Sequence, residues 1–333
     1  MWRRTAWIIA LGLPISWLSD LRAEDRGAPE RLITHLRWVR FEVIGGRIRT
    51  TRVRVGQHRH QMTMEYPDGG TEALAVALDH GALSLRYTWQ RRTEYLSVLA
   101  GRNDRLEFCW RRETTGGPLV ETTFVQPSRG DMTLTIHRTG QTKVTYCVPG
   151  VWHLAALHPD VCMEHVVPIM ELLCADSPIR LEVKQLRGRL FQTARKPLPV
   201  QRWEVEQLVR QLAARRFQER HHADQRLRTL GPSVISFLDE LDPSALDREQ
   251  RHRIAMVKAD IWRYTADTPD RVAQWLSTDK QVWIALTHVP NSVRRELAMS
   301  RLANLSVAPV AARALDKTHA RQAAVARDDV RRR

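Results

Sequence analysis

A segment in the middle of the chain is rich in histidine and cysteine, the residue types best suited to metal chemistry. His158, Cys162 and His165 are spaced four and three residues apart, which places them on one face of a helix. Imidazole and thiolate groups are ligands of zinc and copper. The spacing therefore predicts a metal site with three ligands from one helix and a fourth from elsewhere. His153 and Cys174 lie nearby in the sequence.

The same residues also have a purely structural interpretation. A helix that packs on a core must bury one face, and cysteine is among the most frequently buried residue types. His158 precedes Pro159, and proline is typical of the first helical position, so His158 would then cap the helix. The sequence leaves both interpretations open.

Common catalytic signatures are absent from the sequence. It contains no glycine-rich phosphate loop, no G-x-S-x-G nucleophile turn and no H-E-x-x-H zinc motif. Glu94, Glu107 and Glu121 lie on predicted strands, where two converging carboxylates would suit hydrolysis. Solvated carboxylates on a strand face are the alternative, and the sequence does not show that any two converge.

The elements that must position these residues begin with a β region from about residue 38 to 148. Short segments alternate apolar and polar residues and end at turn signals such as Gly45-Gly46. The stretch from Leu83 to Trp89 alternates without interruption. The spacing predicts nine or ten antiparallel strands in a sandwich, an open barrel or a curved meander. Arginine and threonine fill many positions of the second face, which predicts that this face is solvated.

After about residue 150 the apolar residues follow a helical period. Short closing helices are expected first, with a break at Pro168. The sequence thus predicts an α+β protein. Its parts are an antiparallel β domain with closing helices over 32–176, a linker over 177–199 that includes Lys196–Pro199, and a helical domain over 200–306.

The helical half contains a short internal echo that resembles HEAT-type repeats. Ala223, Arg226, Leu227 and Leu230 recur as Ala298, Arg301, Leu302 and Leu305. Stacked helical hairpins of this kind leave a concave surface for partners. An ordinary helical bundle is the alternative.

The N-terminus has the order of a secretory signal. Arg3 and Arg4 precede an apolar run over 6–18, and Leu21-Arg22-Ala23 supplies a small residue for cleavage. We expect a signal peptide over 1–23 and a mature protein in the periplasm or outside the cell. An uncleaved N-terminal anchor is the alternative. No later segment is apolar enough to cross a membrane.

The chain has 333 residues and a formal net charge of +15, carried almost entirely by arginine. A GC-rich genome produces such a bias without any ligand. Exported proteins rarely meet nucleic acid, so the charge favours attraction to anionic lipid or envelope polymers over nucleic acid. The arginines are spread along the chain except in a basic tail over 307–333, which is predicted to be disordered.

The predicted export also affects whether the cysteines can form disulfides. An oxidising compartment permits disulfides, and Cys109 and Cys147 both fall on predicted strands, which makes them the preferred pair. The alternative is that all four cysteines are buried thiols that act as small apolar residues.

The chain also resembles a group of exported proteins of planctomycete-type bacteria that have no established activity. The residues that carry the resemblance are Val151–Leu154, His158–Cys162, His165, Pro168, Glu171–Leu173 and Asp267–Leu276. The resemblance implies export and the two-part architecture, and it implies no activity.

Together these features predict a non-catalytic binding or scaffolding protein of the cell envelope, with a protein or an envelope polymer as its partner and no cofactor. The alternative is a hydrolase or metal-dependent enzyme. Its site would lie around His153, His158, Cys162 and His165, with zinc or copper bound by the last three.

Overall fold

The computed structural model describes residues 31–35, 39–52, 58–79, 82–113, 117–174, 177–263 and 266–306. The predicted signal peptide over 1–23 and the predicted basic tail over 307–333 lie outside these residues.

The first half of the described chain is antiparallel β structure. Strands β1 (Val39–Ile44) and β2 (Arg47–Arg52) form a separate hairpin. The eight strands of the main sheet are β3 (His58–Glu65), β4 (Thr71–Asp79), β5 (Ala82–Arg91), β6 (Glu94–Ala100), β7 (Leu106–Glu113), β8 (Leu119–Gln126), β9 (Met132–Arg138) and β10 (Val144–Val148). They lie side by side in chain order, and β3 and β10 are the two edges. The predicted antiparallel domain is confirmed, in the form of an open meander.

Alternating residues give the main sheet a buried inner face and a solvated outer face. On β5, Leu85 is 2 % exposed and Tyr87 is 0 % exposed, whereas the residue before each of them, Ser84 and Arg86, is exposed. Apolar residues of this phase fill the core because the strand period is two. The solvated second face that the sequence predicts is therefore present.

Helices follow the sheet. They are α1 (Val151–Leu157), α2 (Pro159–His165), α3 (Val167–Leu173), α4 (Ile179–Ala194), α5 (Arg202–Gln211), α6 (Phe217–Leu230), α7 (Ile235–Asp239), α8 (Arg248–Trp262), α9 (Pro269–Leu276), α10 (Lys280–Leu286) and α11 (Ser292–Ser306). The predicted break near Pro168 is confirmed, since α2 and α3 are separate helices that meet at Val166. The α+β layout is likewise confirmed.

The inner face of the sheet is covered by the β1–β2 hairpin and by the first helices. The backbone N–H of Ile48 donates to Oε1 of Gln126 at 2.9 Å, and Nε2 of Gln126 donates to the Ile48 carbonyl at 2.8 Å. Helix α2 reaches β7 through Arg112, which donates to Glu164 at 2.9 Å. The hairpin and α2 thus cover the same inner face.

Helix α4 overturns one prediction. It occupies most of the segment over 177–199 that the sequence assigns to a linker. Ile179, Val183, Leu186 and Leu190 are buried on one face, and α4 packs against α1, α9 and α11. The linker prediction is wrong because charged residues and Gly188 separate the members of this apolar stripe and obscure its helical period.

The later helices pack both on their neighbours and back on the first ones. Helices α5 and α6 pack together, as do α10 and α11. In addition, α10 contacts α1, and α9 contacts α4. These long-range contacts attach the helical half to the helices that close the sheet.

Candidate functional site: a polar row across the outer face of the sheet

The strand registers bring eight small side chains into one line across the outer face of the main sheet. Each member faces the next directly across a strand pair. The members are Thr63, Ala73, Thr88, Ser97, Cys109, Thr123, Thr135 and Thr145. We call this line the cross-strand row. Six of the eight residues carry a hydroxyl group, which can both donate and accept a hydrogen bond.

The cross-strand row forms the floor of a shallow groove. Neighbouring strands lie about 4.8 Å apart, so eight strands give the row a length of about 34 Å. The six inner members of the row are half-buried, and longer side chains stand on either side. The flanking side chains are Gln90, Tyr95, Arg111, Glu121 and His137 on one side, and Arg86, Leu99, Glu107 and Val125 on the other.

One wall of the groove is held by contacts among its own side chains. Nε of Arg111 donates to Glu121 at 2.6 Å, and this hydrogen bond raises the pKa of Arg111. The Arg111 guanidinium also lies 5.9 Å from the centre of the Tyr95 ring. A cation over an aromatic face is attracted to it, so three neighbouring strands contribute to one continuous wall.

The groove deepens into a cavity at β8 and β9. The cavity has a volume of about 280 Å³ and is lined by Glu121, Thr123, Thr135, His137 and Lys143. Two hydroxyl groups, a carboxylate, an imidazole and an ammonium group thus surround the same space. Such a lining suits a polar ligand with several hydrogen-bonding groups.

Sequence reasoning did not find this row. It recognised that threonine recurs on the solvated face, but the row depends on the register of each successive strand pair. Thr123 faces Thr135 only because β8 and β9 pair in one particular register, and a slip of one residue would turn these side chains to the other face.

Cys109 lies in the middle of the row, and its position contradicts the predicted disulfide. Cys109 and Cys147 are both free. Strands β8 and β9 lie between them, which implies a separation of about 14 Å, whereas the Cα atoms of a disulfide lie within about 7 Å. The prediction placed both residues correctly on strands of one sheet, but the sequence does not show how many strands lie between them.

The other two cysteines are buried thiols. Cys162 is 0 % exposed and Cys174 is 3 % exposed, and burial raises the pKa of each thiol to about 12. Both therefore stay protonated at neutral pH. The interpretation of the cysteines as small core residues holds for these two, while Cys147 is exposed.

The three candidate metal ligands have separate surroundings. His158 is exposed, with its ring centre 4.7 Å from that of Tyr146. Cys162 is a buried thiol, and Nδ1 of His165 lies 2.8 Å from Oγ1 of Thr122. Among the residues that the structure describes, no three His, Cys, Asp or Glu side chains are grouped as metal ligands would be.

His165 and Thr122 form a hydroxyl–imidazole pair of the kind that activates nucleophiles. Nε2 of His165 lies 3.5 Å from the Glu164 carboxylate. However, Thr122 and His165 are each 1 % exposed, beneath the inner face of the sheet. Burial lowers the pKa of His165 to about 4, so the ring is neutral. The pair fastens α2 to β8 in a place that no substrate reaches.

His153 belongs to a buried network at the junction of the two halves. Its Nε2 lies 3.0 Å from the Asp279 carboxylate. Beside it, Asp267 accepts hydrogen bonds from Trp152 Nε1 at 2.6 Å and from the backbone N–H groups of Gly45 and Gly46 at 2.8 and 2.7 Å. Burial raises the pKa of Asp267 in spite of these three donors. The network ties α1 and the β1–β2 turn to the segments that begin α9 and α10.

That turn requires glycine. Gly45 and Gly46 have φ values of +61° and +71°, which glycine adopts without strain. A Cβ atom on Gly46 would also lie 3.1 Å from the Trp275 ring. The close approach lets the turn present both N–H groups to Asp267.

The three glutamates that the sequence singled out do not converge. Glu94 accepts a hydrogen bond from Nε1 of Trp110 at 2.6 Å. Glu107 and Glu121 flank the cross-strand row on opposite sides, about 14 Å apart along the strands. The structure therefore does not pair them for hydrolysis.

No protein-family model, curated protein or solved structure matches this chain. Among the helices of the described residues, none combines the length and the apolar character that a membrane crossing requires.

Proposed function

We propose that the protein is a non-catalytic binding protein of the cell envelope, and that the cross-strand row binds an extended polar polymer, a glycan chain. The observation that carries the proposal is the line of six hydroxyl groups in register across eight strands. A hydroxyl group donates and accepts, so such a line matches a polymer that presents alternating donors and acceptors.

The shape of the site supports a polymer over a small molecule. Ligand pockets for small molecules are concave and enclose most of the ligand, whereas this groove is shallow and about 34 Å long. Its ends coincide with the edge strands β3 and β10. A polymer can therefore extend beyond the sheet at both ends, so the protein can bind the middle of the polymer and does not require a free polymer end.

The lining of the cavity supports the same class of ligand. Lys143 and His137 can donate to oxygen atoms, and Glu121 can accept from hydroxyl or amide groups. Tyr95 on the wall offers an aromatic ring beside the row, and an amphipathic ring suits a ligand with both apolar and polar surfaces. The envelope as the location depends on the predicted export signal.

The enzyme alternative has weaker support from the same structure. A catalytic site needs convergent polar groups that a substrate can reach. His153, Cys162 and His165 are buried, and the two histidines are engaged in contacts that hold elements together. The side chains of His153, Cys162 and His165 therefore serve to hold the fold together.

The experiment is a co-sedimentation assay of the purified protein with insoluble cell-wall glycan. Thr123→Trp places a large ring on the floor of the row, and we expect it to weaken binding at least about tenfold, equivalent to about 1.4 kcal/mol. The control is Ala77→Trp, since Ala77 is also a half-buried small residue of the outer face but lies on β4 four residues beyond Ala73 of the row, outside the flanking side chains. Circular dichroism verifies that both variants fold. Equal binding by the two variants, or no binding by the parent, would refute the proposal.

A further inference from the structure

A second feature lies far from the row, where α4 packs against α11. The guanidinium of Arg294 on α11 lies 5.4 Å from the centre of the Phe191 ring on α4. Arg187 is four residues before Phe191, so it occupies the same face of α4 one turn earlier. Arg187 and Arg294 therefore sit beside each other at this helix contact. We call them the arginine pair.

The arginine pair has no ion-pair partner among the described residues. Neither guanidinium forms an ion pair with a described carboxylate. Burial and the positive charge of Arg294 lower the pKa of Arg187. The charge of Asp160 acts on this pKa in the opposite direction, but the two side chains do not form an ion pair. The Nε of Arg187 is buried and has no hydrogen-bond partner, which is a costly state for a charged donor.

A third nitrogen donor, the His158 imidazole, faces the same place. His158 lies at the start of α2, which packs against α4. Burial and the positive charge of Arg187 lower the pKa of His158. Contact with the Tyr146 ring at 4.7 Å holds the imidazole in position, while the side chain keeps an exposed edge.

Two other arginines of α4 are paired. On α4, Arg189 donates to Asp270 at 2.7 Å and Arg180 donates to Glu171 at 2.7 and 2.6 Å. Arg187 thus differs from these two residues of the same helix in having no described carboxylate partner.

We infer that Arg187, Arg294 and His158 form a binding site for a tetrahedral oxyanion, a phosphate or sulfate group. A guanidinium presents a fork of N–H donors that matches two oxygens of such a group. An anion between the two arginines removes their mutual repulsion. The site draws on α4, α11 and the junction between α1 and α2.

Thermal unfolding of the full chain tests the site, with sodium chloride replaced by sodium phosphate, and separately by sodium sulfate, at constant ionic strength. An anion that binds the folded state raises the Tm by about 2–4 °C when its concentration is about ten times its Kd. We expect this rise in the parent and in Arg189→Gln, the matched control on the same helix. Arg187→Gln and Arg294→Gln lose it.

Arg294→Gln is the deciding variant, because Arg294 is exposed and its replacement leaves the core intact. In chloride alone its Tm should stay close to that of the parent, since the loss of repulsion and the loss of the contact with the Phe191 ring act in opposite directions. No rise in the parent with either anion, or an equal rise in Arg294→Gln, would overturn the inference.

The source of the phosphate group is settled by flotation with lipid vesicles. Binding of the parent to phosphatidylglycerol vesicles but not to phosphatidylcholine vesicles, with loss of binding in Arg294→Gln, assigns the site to a lipid headgroup. A Tm rise in inorganic phosphate without vesicle binding assigns it to a soluble or polymer-borne phosphate. Either result supports the oxyanion site.

Discussion

The two faces of the main sheet use polar residues in opposite ways. On the inner face, Glu72, Thr122 and Gln126 are each at most 1 % exposed, and each forms hydrogen bonds to another part of the chain. On the outer face, the hydroxyl groups of the cross-strand row lie along an open groove, where those of Thr135 and Thr145 contact each other at 3.2 Å. The contrast separates polar groups that hold the fold from polar groups that can bind a ligand.

Glu72 is the clearest example on the inner face. It accepts hydrogen bonds from the Leu32 backbone N–H and the Tyr87 hydroxyl, both at 2.7 Å, and from the Tyr66 hydroxyl. Burial and the hydrogen bond to Glu72 raise the pKa of Tyr66 to about 12 and raise that of Tyr87 as well. A buried carboxylate with convergent tyrosines resembles a reactive site, but here it anchors the helical turn over 32–35 to β4.

The largest expected effect is the loss of this anchor. Glu72→Ala leaves three donors without their acceptor, two of them buried, and we expect a decrease in the free energy of unfolding of about 3–5 kcal/mol. Urea denaturation followed by tryptophan fluorescence measures it. Glu65→Ala is the control, because Glu65 lies on the outer face of β3 and is exposed; its effect should stay below about 0.5 kcal/mol. Similar decreases in the free energy of unfolding of the two variants would contradict the difference between the two faces.

His165 gives the inner face a pH dependence. Its pKa of about 4 in the folded protein lies below the ordinary value of 6.5, so the unfolded chain binds a proton that the folded protein does not. The corresponding stability is complete above pH 6.5 and is lost as the pH falls from 6.5 to 4. We expect this loss to be about 2–3 kcal/mol.

The measurement is urea unfolding of the parent and of His165→Gln at pH 7 and at pH 4.5. Glutamine keeps an acceptor for Thr122 but does not titrate, so all other ionisable groups cancel in the difference. The parent should lose more stability than the variant on acidification. Equal losses would mean that the buried imidazole does not resist protonation.

Two adjacent threonines provide a smaller but closely matched comparison. Thr122 faces inward and contacts His165 at 2.8 Å, whereas Thr123 belongs to the cross-strand row. Thr122→Val removes the partner of a buried imidazole nitrogen and should cost about 1–2 kcal/mol of unfolding free energy. Thr123→Val should change it by less than about 0.5 kcal/mol. Chemical denaturation of both variants gives the two values, and the reverse order would contradict the assignment of the faces.

Parts of this arrangement follow from local sequence patterns and parts do not. The alternation from Leu83 to Trp89 is sufficient to predict a strand and its buried face, and Pro168 is sufficient to predict a helix break. Glu72 left a usable signal, since it shares the phase of Leu74 and the other buried residues of β4. A charged residue in the apolar phase of a strand needs a buried partner.

Local sequence patterns did not predict the cross-strand row or α4, and the reasons differ. The row is a product of long-range pairing, because each hairpin register adds one member and no single strand reveals the line. The buried face of α4 was hidden by arginine, lysine and Gly188 between its apolar positions. The separation of Cys109 from Cys147 likewise depends on how many strands intervene, which only the sheet order gives.

The central claim is that the outer face is one continuous site for an extended chain. The most direct test is to measure by calorimetry how the affinity for soluble envelope glycan fragments depends on their length. We expect the affinity to increase with length until the extended fragment spans about 34 Å, the width of eight strands, and then to stay constant. An affinity that does not depend on length, or a single sugar unit that binds as tightly as the longest fragment, would contradict it.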